Sequence, residues 1–588
     1  MQANLGLLVR GLLLLAFVTT TASLTPPVLE KRPKNVPFGK VPGENRGKQP
    51  MEPVIYLEDP YYYVRDDNRS NTEILDHLKA ENAYTKAALS HLDSLQDELY
   101  KELLSHVQET DQNVPYPHGD FVYYSGTEEG KAYRIHYRKP RHGDGAEEIL
   151  LDVNKLAEGH AQCSVRRVEV SPDHKLLAYS VDFTGYETYD IYIKDLATNT
   201  INKAVEGCDG RIVWGRDAET LFYVTKDAAQ RSHKVWSHLV GAPQSDDTTL
   251  FTEDDEIFSA GVFKTSSGRF LVIPTSSKET SEVRVLDLHD PQPSLAVVAP
   301  RVQLFVAYTK DTNNSTWHKT RLPMPEAIYS LGAATNAEYA TTKYRYTYSS
   351  LTTPEQTVEY DFISNKTVIL KETPVPHYDR EQVEATASDG TAIPISVVYR
   401  KDKKKAEGQP QALHLYGYEA AKYLTKITTF TDFIACAEHL VATKVTSPSQ
   451  LTCEGRSAGG LLVGAVLNMR PDLFTAVRYR AVAGVPFVDV MNTMSDATIP
   501  LTTGEWVEWG NPNELEYFDY MLQYSPYALS QNLYVAKLRD LKTDNNQVLL
   551  KMDLDAGHFS ASDRYHYYKE KAVELSFLLD QLKYHLKC

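Results

Sequence analysis

The sequence predicts a chain in two parts: a series of antiparallel four-stranded units arranged as a β-propeller, then an α/β layer on a mostly parallel sheet. Three observations predict it. First, three turns of the same residue types, Ser171-Pro-Asp-His-Lys, Gly215-Arg-Asp-Ala-Glu and Thr265-Ser-Ser-Gly-Arg, each introduce a short apolar strand. These strands begin roughly 45 to 55 residues apart, the repeat length of a propeller blade. Second, beyond about residue 380 strand pairs give way to strands alternating with helical stretches, the signature of an α/β layer. Third, that region holds a strand, a sharp glycine-flanked turn and a helix in immediate succession, Leu451-Thr-Cys-Glu, Gly455-Arg-Ser-Ala-Gly459 and Gly460 to Asn468. An irregular β-sandwich is the competing reading of the first part, because its repeats are degenerate.

Size and composition frame these elements. The chain has 588 residues, 42% hydrophobic and 24% charged, which is too long for one ordinary domain and excludes disordered, collagen-like and coiled-coil classes. A formal net charge of −16 argues against general nucleic-acid binding, which needs surplus Lys and Arg; solubility is its simpler reading. Five cysteines, with no C-x-x-C pair, make a disulfide framework or a structural zinc site a poor reading, with a single Cys163–Cys208 bridge left open for an exported protein.

Along the chain, Arg10 precedes the apolar run Leu12 to Val18, and small or hydroxyl residues Thr19 to Ser23 follow, the order of a cleaved secretory signal over residues 1–23. An organellar transit peptide is the alternative. The apolar run is too short for a membrane span and no later run reaches the length needed. Sequons at Asn68, Asn313, Asn314 and Asn365 agree with export. Residues 24–50 are a proline-rich extended tail that cannot form helix. In 51–111 the apolar positions Ile74, Leu75, Leu78, Leu92, Leu95, Leu99 and Leu103 recur at three and four, predicting one or two amphipathic helices that pack on the α/β domain. The propeller is assigned to 112–375 and the α/β domain to 376–588.

The glycine-flanked turn carries the chemistry. In G-x-S-x-G the serine sits at a strained bend where flanking side chains would strike neighbouring backbone, so Ser457 is presented outward. The following helix aims its first N–H groups, that of Ala458 nearest, at a developing oxyanion. A serine hydroxyl needs a base, and in an α/β-hydrolase that base is a histidine near the C-terminus. His558, in Asp555-Ala-Gly-His-Phe after the apolar strand Gln547 to Met552, fits this role; His566 and His585 fall in helical stretches.

The stretches Glu454 to Phe474, Val485-Pro-Phe-Val-Asp-Val490 and Ile499 to Pro512 resemble the prolyl oligopeptidase family of serine peptidases, most closely its oligopeptidase B branch. Leu351-Thr-Thr-Pro, Ala385-Thr-Ala-Ser-Asp-Gly390, Leu415-Tyr-Gly-Tyr418 and Asp59-Pro-Tyr-Tyr-Tyr-Val-Arg-Asp66 extend the similarity over most of the chain. The resemblance implies a propeller capping an α/β-hydrolase domain, peptide substrates, and no cofactor. By motif it implies Ser457 as nucleophile, His558 as general base, and Tyr418 beside Ala458 in the oxyanion hole. It further implies Glu505 as an acid that meets a basic substrate residue, since oligopeptidase B members cleave after Arg or Lys.

Departures from the family pattern are equally specific. Val507 replaces a second acid two residues after Glu505, and Glu419 sets a charge beside the oxyanion hole. Between Tyr418 and Thr431 the chain is too short for a further strand, and the strand that should end in the triad aspartate is gone, with no acid in the matching motif. Residues 300–340 look compressed, so the propeller is expected to be one or more blades short. These gaps leave two expectations beside an active peptidase: a catalytically impaired relative that binds peptides, or a chain from which coding segments were dropped.

Overall fold

The computed structural model describes residues 24–302, 309–310, 317–318, 322, 324–326, 328–374, 379–406, 408–418, 421–474, 481–529, 534–542, 546–554, 556–558 and 562–582. The expected signal segment and the sequons Asn313 and Asn314 lie outside them, as do His585, Glu419 and Asp555.

The propeller turns repeat in backbone as well as in residue type. Ser171 N–H donates to Leu176 O, Gly215 N–H to Thr220 O and Thr265 N–H to Phe270 O, at 2.9, 2.8 and 3.0 Å. Asp173 and Asp217 complete two of the turns by accepting main-chain N–H bonds from Lys175 and from Glu219 and Thr220. Each turn launches a central blade strand, Leu176–Asp182, Thr220–Lys226 and Phe270–Ser276. Two blades are fused through one long strand, Ile201–Trp214, which pairs with Tyr189–Asp195 on one side and Thr220–Lys226 on the other. With the five-stranded antiparallel sheets Asp111–Asp152 and Ser259–Val302 and the four-stranded sheet Ser330–Glu372, the described residues hold five blades and a two-stranded piece, Thr309–Lys310 with Trp317–His318. Between blades, Ile191, Val205 and Leu221 have no exposed surface. Cys163 and Cys208 are buried free thiols, and Cys208 Sγ donates to Tyr189 O instead, so no bridge joins them.

The proline-rich N-terminal segment is extended as expected, yet it is more than a tail. Lys34–Phe38 pairs antiparallel with Ile55–Asp59, and Phe38, fully buried, packs edge-on against Phe518 at 5.3 Å in the hydrolase core. Two helices follow, Thr72–Leu89 and Asp93–Ser105. Asn71 caps the first by accepting the Glu73 N–H at 3.1 Å, and Glu81 ties it to the hydrolase through both Arg539 nitrogens, 2.6 and 2.9 Å. No described helix is long and apolar enough to cross a membrane.

The hydrolase sheet has three parallel strands, Leu413–Tyr416, Leu451–Arg456 and Ala481–Gly484, with Leu451–Arg456 in the centre. It stops short on both sides, where the sequence lacks strands. On one side the hairpin Asp379–Thr386 with Ala392–Tyr399 forms a separate two-stranded sheet. On the other, residues 547–552, expected to be a strand, enter no ladder. A strand exists only through its partner's hydrogen bonds, and among the described residues no strand lies between this segment and Ala481–Gly484. A cavity of about 1170 Å³ occupies that place, walled by Val482, Leu549, Leu550 and Val463 among others.

Candidate active site

The elbow is built from the backbone outward. Ser457 has φ 56° and ψ −120°, a conformation costing on the order of 1–3 kcal/mol for a non-glycine residue and kept only where surroundings enforce it. Here they do. Ser457 N–H donates to Gly484 O at 2.9 Å, and Ser457 O accepts from Gly460, Leu461 and Phe487 N–H at 2.9, 3.2 and 3.2 Å. A Cβ at Gly455 would lie 2.1 Å from Gly459 O, and one at Gly459 would lie 2.7 Å from Gly417 O, so both positions admit glycine alone. The helix Ala458–Met469 begins at once, and Ala458 N–H, among its first donors, has no intrahelical acceptor. The Tyr418 ring packs against Gly459, with more than half of its surface exposed. The Ser457 bend, the first turn of the helix and the Tyr418 ring therefore lie side by side.

His558 approaches from the other side. It lines the large cavity together with Arg456, Gly484 and Pro486, the residues that bracket Ser457 and receive its N–H. Its loop is fixed from the propeller: a Cβ on Gly557 would lie 2.3 Å from Gly185 O, and Gly185 belongs to a turn whose N–H groups are gathered by Asp182. Several carboxylates in this part of the molecule take part in ion pairs. Asp553 pairs with His566 at 3.5 Å, Glu570 with Lys551 at 2.8 Å, and Glu574 with Lys571 at 2.9 Å. Asp540 pairs with Lys31 at 2.7 Å.

Glu505 sits on the helix Thr502–Trp509, and the sequence reading missed its companion. Glu508, three residues on and thus on the same helix face, is a second acid beside it. Lys278, from a propeller hairpin, reaches both: its Nζ is 2.7 Å from Glu505 Oε2 and bonds Glu508 as well. Burial pushes the Lys278 ammonium down, but the two carboxylates outweigh it and hold its pKa above the ordinary lysine value. Lys426 Nζ supports Glu508 from below at 3.2 Å and stands 3.7 Å over the Trp509 ring. Trp509 Nε1 donates to Glu505 at 2.9 Å, and its ring meets Phe487 at 5.1 Å. Phe487 N–H bonds Ser457 O, so the acid pair lies two side-chain contacts from the nucleophile.

Comparison with known proteins decides the family. Residues 40–325 match the prolyl oligopeptidase N-terminal beta-propeller domain and residues 417–533 match the prolyl oligopeptidase family domain. The chain belongs to the prolyl oligopeptidase family. It is a serine peptidase close to oligopeptidase B. It is 36% identical to the oligopeptidase B structure from Leishmania major, at a TM-score of 0.88 over 95% of this chain and 99% of that one. Oligopeptidase B from Trypanosoma brucei, in a closed form with covalently bound antipain, is 37% identical at a TM-score of 0.86, covering 96% of this chain and all of that one. Dipeptidyl aminopeptidase BI of Pseudoxanthomonas mexicana is 32% identical over 715 positions, spanning 95% of this peptidase and 96% of the relative. This peptidase has only 588 residues, so the surplus positions fall opposite gaps inside it.

Proposed function

We propose that this peptidase hydrolyses short peptides through an acyl-enzyme on Ser457, preferring a basic residue before the cut bond. Ser457 Oγ attacks the scissile carbonyl while His558 takes its proton and returns it to the departing amine; water, activated by the same imidazole, then releases the acyl group. Ala458 N–H and the Tyr418 hydroxyl hold the oxyanion. The observation that carries this reading is the enforced left-handed backbone of Ser457 at a strand-to-helix bend, which leaves no other reason for a serine there. The covalent antipain complex of the trypanosomal relative supports a covalent intermediate. The Lys278 ammonium seated between Glu505 and Glu508 supports a basic preference: an acid pair that accepts one primary ammonium accepts a substrate's cation in exchange. The order of residues 1–23 supports a place in the secretory lumen or outside the cell, with an organellar or cytoplasmic site as the alternative.

The sequence keeps no acid in the family's triad motif. In serine proteases, replacing that acid lowers turnover about 10⁴-fold, and the same deficit is expected here. Fluorophosphonate labelling of the purified chain tests the core of this reading. Slow labelling lost in Ser457→Ala supports it, and a folded sample that never labels contradicts it.

A second reading has its own observation. A cavity at the edge of a truncated parallel sheet, together with the aligned surplus of the relatives, fits a longer product of the same gene in which a further strand fills the space. Transcript sequencing decides this: a message that encodes these residues with no insertion between 529 and 547 removes it.

A further inference from the structure

The cavity enclosed by the propeller differs in charge from the rest of the molecule. It measures about 1500 Å³, beyond a small-molecule pocket and large enough for a peptide segment. Although the chain as a whole carries −16, the wall of this cavity bears Arg134, Arg166, Arg167, Arg211, Arg216 and Lys264, with Arg564 added from the hydrolase side. Two carboxylates oppose them, Asp111 and Glu169. Asp111 is already held by Lys371 Nζ, 2.6 Å from both of its oxygens. Glu169 lies 3.9 Å from Arg167, and burial raises its carboxyl above the ordinary range. Arg211 is matched by Asp209. That leaves Arg134, Arg166 and Arg216 exposed, with no ion pair among the described residues. The Lys264 ammonium rests only on the Trp214 and Gly215 carbonyls, at 2.9 and 3.0 Å.

Cations gathered on a concave wall focus field lines and raise the local concentration of anions. We propose that this cavity binds the acidic side chains of a peptide, so that substrates bound for Ser457 carry Asp or Glu away from the bond that is cut. The nature of the occupant rests on the peptidase reading above. Ser562 and Arg564, just beyond His558 at the start of the last helix, line the same cavity, which puts a peptide held there beside the loop of the base. Guanidinium groups suit the task, since each can take a carboxylate through two parallel hydrogen bonds. An uncharged funnel sorts peptides by size; this one also sorts them by sign.

The test uses the full chain carrying Ser457→Ala and two fluorescent, C-terminally amidated peptides of equal length, one with three Glu and the other with Gln in their place. The acidic peptide is expected to bind about tenfold tighter at low salt, and the margin should vanish near 1 M salt, where screening acts within about 3 Å. Arg134→Gln, Arg166→Gln and Arg216→Gln together should remove it. Equal binding of the two peptides, or a margin that survives the triple variant, overturns the proposal. Should the triple variant fail to fold, Arg166→Gln alone must still narrow the margin, about threefold. If a free C-terminal carboxylate on the Gln peptide restores the whole gain, the site reads chain ends and the side-chain assignment falls. Labelling of the wild-type chain is read separately, so loss of the peptidase reading is distinguishable from loss of charge selection.

Discussion

The two side chains proposed to react, Ser457 and His558, stand on flanks built in opposite ways. On the serine flank the backbone is bonded on every side, glycines at 455 and 459 let the strand and helix close to contact, and Leu461, Val463, Ala465 and Val466 behind them have no exposed surface. On the histidine flank, residues 547–552 run beside a cavity of about 1170 Å³ with no ladder, and His558 is positioned by a propeller turn rather than by a sheet. The difference teaches that the proposed nucleophile's geometry is held by the strands and turn packed directly on it, whereas the proposed base depends on how many strands lie between it and the elbow. Deleting strands spares the first and strips the second.

The largest effect should come from converting one flank into the other. Replacing residues 530–546 by the segment of a family member that keeps a strand and a triad acid there should fill the cavity and supply an acid behind His558. Peptide turnover is then expected to rise by about 10⁴-fold, the value of a triad acid. Unchanged turnover in a folded graft would show that the cavity does not limit catalysis.

Next in size is a matched pair of substitutions. Gly455→Ala and Gly557→Ala each place a methyl group within 2.3 Å of a carbonyl, at Gly459 and Gly185 respectively. In the fully bonded elbow the clash must displace Ser457, and a shift near 1 Å costs about 10²-fold in rate. In the histidine loop the open cavity lets the chain retreat, so a smaller loss of labelling rate is expected. Equal losses would mean that the two flanks are equally rigid.

The parts legible in the sequence follow the same division. The propeller turns were readable because their bonding partners lie within a few residues, and the elbow because its glycines and serine are adjacent in the chain. Ser457 and Ala458 stand at the strand-to-helix bend that the motif implied, and His558 lines a cavity with Arg456 and Gly484. Residues 547–552 read as a strand because periodicity reports side-chain pattern, but a strand also needs a neighbour, and none remains. Lys278 was invisible for a different reason: it lies 227 residues from Glu505, and no local signal marks a surface lysine as the cation of a distant acid pair. Glu508 could have been found from its spacing to Glu505 on one helix.

That ion pair offers a smaller test, on the serine flank. Lys278→Met frees Glu505 and Glu508, so KM for an Arg-containing peptide should fall about three- to tenfold, with little change for a neutral one. An unchanged KM would separate the acid pair from substrate binding.

The smallest expected effect concerns pH. Below the elbow, the Asp489 carboxyl is raised to about 7 by burial, with the Asp59 charge adding to it and the Asn492 amide opposing. Lys537, 2% exposed, is lowered from 10.5 to about 7 by burial, which the charges of Asp489 and Asp59 oppose only in part. Its Nζ lies 4.2 Å from the centre of the Tyr527 ring and donates to the Tyr527 carbonyl. The sign follows from the direction of the Lys537 shift. The unfolded chain binds the lysine proton below pH 10.5, while the folded chain binds it only below about 7, so this group's destabilisation grows as pH falls between those values and is constant beneath them. Lys537→Met abolishes that dependence. The difference in melting temperature between variant and wild type should therefore move in the variant's favour by a few degrees as pH is lowered from 10 to 7, then level off. A difference that stays flat across this range would mean that the ammonium remains charged throughout, held by Asp489 and Asp59, and that the serine flank is braced by a buried ion pair rather than by packing.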